Sequence, residues 1–254
     1  MELIALVNTV LKGRNQPSSI LPDEPKYKQN CLVGTKYLIT DYKTVKDHWL
    51  VTLKTPIAGE NQWWVYSPHF RLEPQPELLT SVRLDVPYHS QLNNQAAEPW
   101  RMCNVTSIAM TLNYFGLFKD RSSQLEDQLW RWMVNKGLSP FSPQDLNHTA
   151  IAWGSKGNRF NSQATWRQLK LHLSGGNPCV LHAWFTRSGH IVTVVGFDDT
   201  KGELICHDPF GVWQVGTVHY DTSVSGAFAR YPYSALMRIG CNDGDLWLHF
   251  CKKQ

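Results

Sequence analysis

The sequence predicts an α+β chain in two parts: a small all-β domain over residues 1–75 and a larger domain over 76–254, in which helices precede antiparallel strands. Three observations carry this. Short β-branched or aromatic runs, separated by Gly, Asn, Asp and Pro, fill the first 75 positions. From Ile108 onward apolar residues recur three and four apart, the helical spacing, through several segments up to Ser174. From Pro178 the pattern becomes strand after strand, which is not the alternation of a parallel α/β sheet.

Composition narrows the function classes. With 42% hydrophobic and 18% charged residues the 254-residue chain is globular, not disordered. Its net charge of +4 is spread along the chain, so a nucleic-acid partner is not expected. The 11 Trp exceed ordinary usage, and aromatic excess suits surfaces that meet carbohydrate or peptide. Six cysteines, at 31, 103, 179, 206, 241 and 251, have neither CxxC nor zinc-type spacing and read as reduced thiols. HExxH and GxxxxGK[ST] motifs are absent, so neither a metal nor another cofactor is expected. MELIALVNTVLKGR lacks a basic leader and a small-residue cleavage site and reads as a strand; synthesis in the cytoplasm without a signal peptide is the expectation. No run approaches 18 apolar residues, so no membrane-spanning helix is expected.

In the N-terminal part, Glu2 to Val10 reads as one strand and LKGRNQPSS as a turn cluster. GTKYLIT, WLVTL and WWVY are further short strands, and their spacing suggests a small barrel. At strand period Trp64 and Tyr66 share one face and Trp63 takes the other, so one of the two faces is core. The order TVLKGRNQPSSIL, a Gly-led strand, HWLVTL and NQWWVYSPH is similar to a bacterial SH3-like domain. That likeness implies a module binding cell-wall peptides or glycans, with Trp64 and Tyr66 as candidate contacts; a barrel that only packs is the alternative. EPQPELLTS, residues 73–81, reads as a linker.

Beyond it, Trp100-Arg101-Met102-Cys103 runs into a helix, placing Cys103 at or just before a helix N-terminus. Unpaired backbone N–H groups and the positive dipole end favour a thiolate there. Taken alone, such a cysteine is more readily a small core residue than a nucleophile. Gln124–Asn135 reads as a second helix capped by Ser122 or Ser123, and Ser142-Pro143 opens a third. Asn161-Ser162 with TWRQLKLHLSGG reads as a fourth, ended by Gly175-Gly176. CVLHAWF, HIVTVVGFDD, GELICHDPF and LWLHF are the strands.

Within these strands His190 begins one and Asp208 ends the next, with a turn at Asp199–Gly202 between them. Antiparallel strands joined by a short turn bring their outer ends together, so the two side chains can meet. A carboxylate beside an imidazole fixes its tautomer, and a cysteine paired with that imidazole becomes a thiolate nucleophile. His207 competes for the role of base but points to the opposite face of its strand.

VPYHSQ, then Trp100, Cys103, TSIAM and NYFG, followed by GHIVTVVGFDD and HDPFG, resemble the peptidase C39-like branch of papain-like cysteine peptidases over about residues 84–215. The resemblance implies a papain-like fold with Cys103 as nucleophile, His190 as general base and Asp208 as the orienting carboxylate. Gln91 matches the Gln of the SQ motif and is implied to donate to an oxyanion hole with the Cys103 backbone N–H. Trp100, Asn104 and Gly189 are the candidate substrate contacts. The chain departs from the family at Asn104-Val105, where Gly-Pro commonly follows the cysteine. The expected function is a monomeric cysteine endopeptidase acting on peptidoglycan peptides at the bacterial cell wall, of the phage endolysin kind. The alternatives are a peptidase acting on proteins or leader peptides, another acyl transfer by the same triad, and an inert protein that binds peptides or cell wall.

Overall fold

The computed structural model describes residues 1–74, 78–118, 120, 122–240 and 245–253. The chain forms two compact units, Met1–Gln75 and Pro76–Gln254.

The first unit consists of β1 (Glu2–Ala5), β2 (Thr9–Lys12), β3 (Lys28–Cys31), β4 (Lys36–Val45), β5 (His48–Ile57), β6 (Glu60–Tyr66) and β7 (Phe70–Glu73). They pair antiparallel in the order β3-β2-β6-β5-β4-β1-β7. The expected single strand over Glu2–Val10 is two strands, because the chain turns at Leu6–Asn8 and Asn8 Oδ1 accepts from Val33 N–H at 2.8 Å. The expected barrel is not closed. Its end strands, β3 and β7, are four residues long and each pairs on one side only among the described residues, so the hydrogen-bonded path stops at them. Leu3, Leu11, Val51, Trp63, Val65 and Phe70 form the core of this unit. Trp64 and Tyr66 lie half-buried on the other face of β6.

The second unit begins with β8 (Ser81–Arg83), so the expected linker over 73–81 is flanked by β7 and β8; residues 75–77 lie outside the described residues. Then come α1 (Cys103–Tyr114), α2 (Leu125–Asn135), α3 (Pro143–Ala152), β9 (Arg159–Ala164), α4 (Trp166–Ser174), β10 (Cys179–Ala183), β11 (His190–Asp198) and β12 (Glu203–His207). The hairpin β13 (Val212–Trp213) and β14 (Tyr220–Asp221), β15 (Ala229–Pro232), α5 (Tyr233–Gly240) and β16 (Leu246–Phe250) complete it. The main sheet runs β15-β12-β11-β10-β16-β9, antiparallel, with β8 also on β11.

Helices cover both faces of this sheet, which is why β10 and β11 read as unbroken apolar runs. Cys179, Leu181, Val192 and Val194 pack against Leu169 and Leu173 of α4 and Ala235 and Leu236 of α5. Val180 and Ile191 point the other way, into Val105, Ile108, Leu129 and Leu146 of α1, α2 and α3. Helix α1 is buried along nine consecutive residues, Asn104 to Leu112, so it is a central helix and not an amphipathic one.

Local chemistry explains several boundaries. Ser142 caps α3 by accepting from Asp145 N–H, with Pro143 in the first turn. Thr165 and Gln168 form a reciprocal capping box that starts α4 at Trp166. Asn161 and Ser162, expected in that helix, therefore belong to β9, which pairs with β16. Neither Ser122 nor Ser123 caps α2; the residue before it is Gln124, without a side-chain cap.

At Gly196 the strand β11 meets β8 so closely that an added Cβ would run into the Val82 carbonyl. A register shift in the β11–β12 pairing falls between Val194 and Gly196. The Gly196→Ala substitution is expected to lower stability by about 2–3 kcal/mol, in line with overpacked positions, with a matching loss in thermal midpoint. An unchanged midpoint would contradict this close approach.

Candidate active site

Cys103 is the first residue of α1, entered from a short 3-10 turn at Pro99–Arg101. The helix is fixed to β11 by two reciprocal bonds: Ser107 Oγ donates to Ile191 O at 3.1 Å, and Thr193 Oγ donates to Ser107 O at 3.0 Å. Thr106 Oγ donates back to Met102 O at 2.7 Å and accepts from Asn94 at 2.8 Å. The thiol is partly exposed and donates to Asn104 Oδ1 at 3.0 Å, while the Asn104 amide donates to Pro140 O at 2.6 Å. At the position where the family commonly has Gly, Asn104 thus ties the sulfur to the loop before α3.

His190 opens β11 after a tight turn in which Gly189 has φ +81°, a conformation that favours glycine. Asp208 follows the last residue of β12. Both lie just beyond the last pair of the ladder, Thr193 opposite His207, and their side chains close the remaining gap: His190 Nε2 to Asp208 Oδ1 is 2.8 Å. Asp208 is fully buried and its acceptor sites are well used. Oδ1 also accepts from Phe210 N–H at 3.1 Å, and Oδ2 accepts from the hydroxyls of Tyr220 at 3.0 Å and Tyr231 at 2.9 Å. A buried charge is tolerable on such terms. Burial, followed by the Asp208 charge, pushes both tyrosine pKa values up, which keeps them as donors.

The ring of His190 sits against Phe185, Phe210 and Tyr220, with centroids 5.9, 6.1 and 5.3 Å away. Burial alone would lower its pKa; the Asp208 charge and then the nearby Cys103 sulfur overcome this and hold it at about 10. Because Nε2 serves Asp208, Nδ1 is the nitrogen left for the sulfur. His207, the rival base, is buried and committed: Nε2 donates to Val86 O at 2.7 Å and Nδ1 accepts from Phe228 N–H at 3.0 Å. Burial lowers its pKa and keeps it neutral.

Cys103, Asn104, Gly189 and His190 line a cleft of about 990 Å³. Its lining also includes Trp100, Arg101, Phe141 and Pro143, and His182, Trp184, Ile239 and Trp247. Trp100 and Trp184 are more than 60% exposed, so their ring faces are open to a ligand. His182 is kept neutral by burial, its pKa lowered to about 4. Gln91 lies beside these residues without lining the cleft: its backbone N–H donates to Pro209 O and its Nε2 to Pro99 O, both at 2.9 Å. Trp64 and Tyr66 belong to the N-terminal unit. Among the described residues no group of three or more His, Cys, Asp or Glu is placed to hold a metal ion. Sequence reasoning did not find Tyr220, Tyr231, Phe185 or Phe210 as the setting of the pair, since a lone aromatic carries no local signal of its long-range partner.

The Peptidase C39 like family model matches residues 83–236. Among solved structures the chain is similar to a C39-like peptidase from Bacillus anthracis, at 17% identity and a TM-score of 0.42, covering 66% of this chain and 96% of that one. It is also similar to xylellain, a cysteine protease from Xylella fastidiosa, at 15% identity and a TM-score of 0.37, covering 68% and 86%. At these values neither likeness adds to the family match. A search of curated proteins returned no match. The matched span is more than half of the chain and holds α1 and the facing ends of β11 and β12, and on that ground the protein belongs to the Peptidase C39 like family and is a cysteine peptidase.

Proposed function

We propose that Cys103 is the nucleophile, His190 its general acid and base, and Asp208 the carboxylate that orients the imidazole, in hydrolysis of peptide amide bonds. The observation that carries this is the 2.8 Å bond from His190 Nε2 to Asp208 Oδ1, which leaves Nδ1 for the sulfur at the edge of the cleft. The thiolate attacks the carbonyl carbon, the C=O π pair moves to oxygen, and that oxyanion is met by the Cys103 backbone N–H and Gln91 Nε2. Gln91 uses one amide hydrogen on Pro99 O and has a second to give. The imidazolium then protonates the leaving amine as the C–N bond breaks, giving a thioester. His190 next deprotonates a water that attacks it, and the acid leaves with Cys103 restored.

For substrate we propose peptidoglycan peptides, which makes the protein a wall lysin of the endolysin kind acting at the bacterial cell wall as a monomer. Support comes from the pairing of a peptidase with an all-β unit carrying Trp64 and Tyr66 on the face opposite its core, and from the open Trp faces in the cleft. Trp100, Asn104 and Gly189 are assigned as substrate contacts beside the sulfur. Digestion of purified peptidoglycan with the wild type should release fragments with new amino termini on the peptides, and Cys103→Ala should release none while folding normally. Reducing sugar ends, or full lysis by the variant, would contradict the proposal.

The charge pair also sets a pH dependence. Folding raises the His190 pKa from 6.5 to about 10. The pair therefore stabilises the fold fully below pH about 6.5, and this contribution is lost as pH rises through about 10. In Asp208→Asn the burial and the Cys103 sulfur remain while the larger of the two raising influences is gone, so the His190 resonance should titrate well below 10 by NMR. A midpoint still near 10 in that variant would show that Asp208 does not govern the imidazole.

A further inference from the structure

The segment that carries Gln91 is held from two sides. On the cleft side, Gln91 bonds Pro209 O and Pro99 O, and the Tyr88 hydroxyl donates to Asp208 O at 3.1 Å. On the far side, His89 Nδ1 is 2.8 Å from Glu126 Oε2, and its Nε2 is 2.8 Å from the Asn113 amide nitrogen. Glu126 is almost fully buried in the first turn of α2, where the helix dipole also favours its charge. The next residue, Asp127, equally buried, accepts from the backbone N–H groups of Gln95 at 3.0 Å and Ala96 at 2.9 Å. Two consecutive carboxylates of α2 thus hold the segment on either side of Gln91.

A second, open pocket of about 640 Å³ is lined by His89, Ser90, Asn113, Gln124 and Glu126. The His89 ring bridges from the segment to α1 and α2 along this pocket. We infer that His89, clamped between Glu126 and Asn113, is a positioning residue that keeps the Gln91 amide aimed at the oxyanion. This rests on the reading of Gln91 as an oxyanion donor. His89 touches no reacting atom; it acts by fastening the segment two residues before Gln91 to α1 and α2.

Two probes separate this role from general damage. A peptide aldehyde, such as acetyl-phenylalanyl-glycinal, adds to the Cys103 sulfur: the C–S bond forms, the C=O π bond breaks, and the oxygen takes the oxyanion position. Iodoacetamide alkylates the same sulfur by displacing iodide, with no oxyanion. Glu126→Ala should weaken aldehyde binding by about tenfold or more, a fraction of what loss of a full oxyanion donor costs, and leave the alkylation rate within about twofold. Glu126→Gln, which retains an acceptor for His89, should restore aldehyde affinity. Asn113→Ala removes the other end of the clamp without uncovering a buried charge, and should act like Glu126→Ala even where that variant fails to fold. Wild-type aldehyde affinity in a folded Asn113→Ala and Glu126→Ala, or equal loss with both probes, would overturn the latch. Gln91→Ala separates the two claims: if it binds aldehyde like the wild type, the oxyanion role of Gln91 falls and the inference with it, whereas a weakened Gln91→Ala beside unaffected clamp variants overturns the latch alone.

Discussion

The site depends on keeping one negative charge in the dry interior. Asp208 is without solvent contact, and a carboxylate buried there without partners would be costly. Four donors from four places in the chain meet it: the His190 ring, the Phe210 backbone, and the hydroxyls of Tyr220 and Tyr231. Three of these also fix where Asp208 points, so the carboxylate turns the imidazole while the rest of the network holds the carboxylate. Removing a partner from such a buried group costs far more than the pair contributes net, which makes the network an all-or-none arrangement.

The same logic extends to the sulfur. The proposed mechanism needs Cys103 and His190 at a fixed separation, and they come from elements about 85 residues apart in sequence. The reciprocal bonds between Ser107 and the strand at Ile191 and Thr193 fasten helix to strand one turn from the sulfur. Burial of α1 on all sides does the remainder, since a close-packed helix cannot slide without opening voids. The site itself thus rests on a rigid helix and strand, while its cleft walls come from exposed aromatic residues and loops.

Much of this was legible in the residues because the physics is local or periodic. The helix at Cys103 shows in its apolar spacing, the covered strands in their unbroken apolar runs, and α3 in its Ser-Pro start. The meeting of His190 with Asp208 needed only strand direction and an eighteen-residue separation (208 − 190). What the sequence hid is long-range. Tyr220 and Tyr231 lie in short strands after Asp208 whose pairing no local pattern announces, and His89 finds Glu126 across 37 residues. Barrel closure failed as an expectation because it depends on whether two end strands meet, and strand spacing does not encode that. Asn161-Ser162 was drawn into a helix because its polar residues resemble a cap, while the Thr165–Gln168 box four residues on is the actual start.

In the proposed mechanism His190, backed by Asp208, makes Cys103 a nucleophile unlike the other described thiols. Cys179, Cys206 and Cys251 are buried with raised pKa values, and Cys31 is buried in the other unit. The most direct measurement is iodoacetamide alkylation of the native protein, followed site by site by peptide mass spectrometry between pH 5 and 9. Cys103 should react about a hundredfold faster than these four, and Asp208→Asn should remove most of that advantage. Uniformly slow labelling, or a Cys103 rate unchanged in Asp208→Asn, would contradict it.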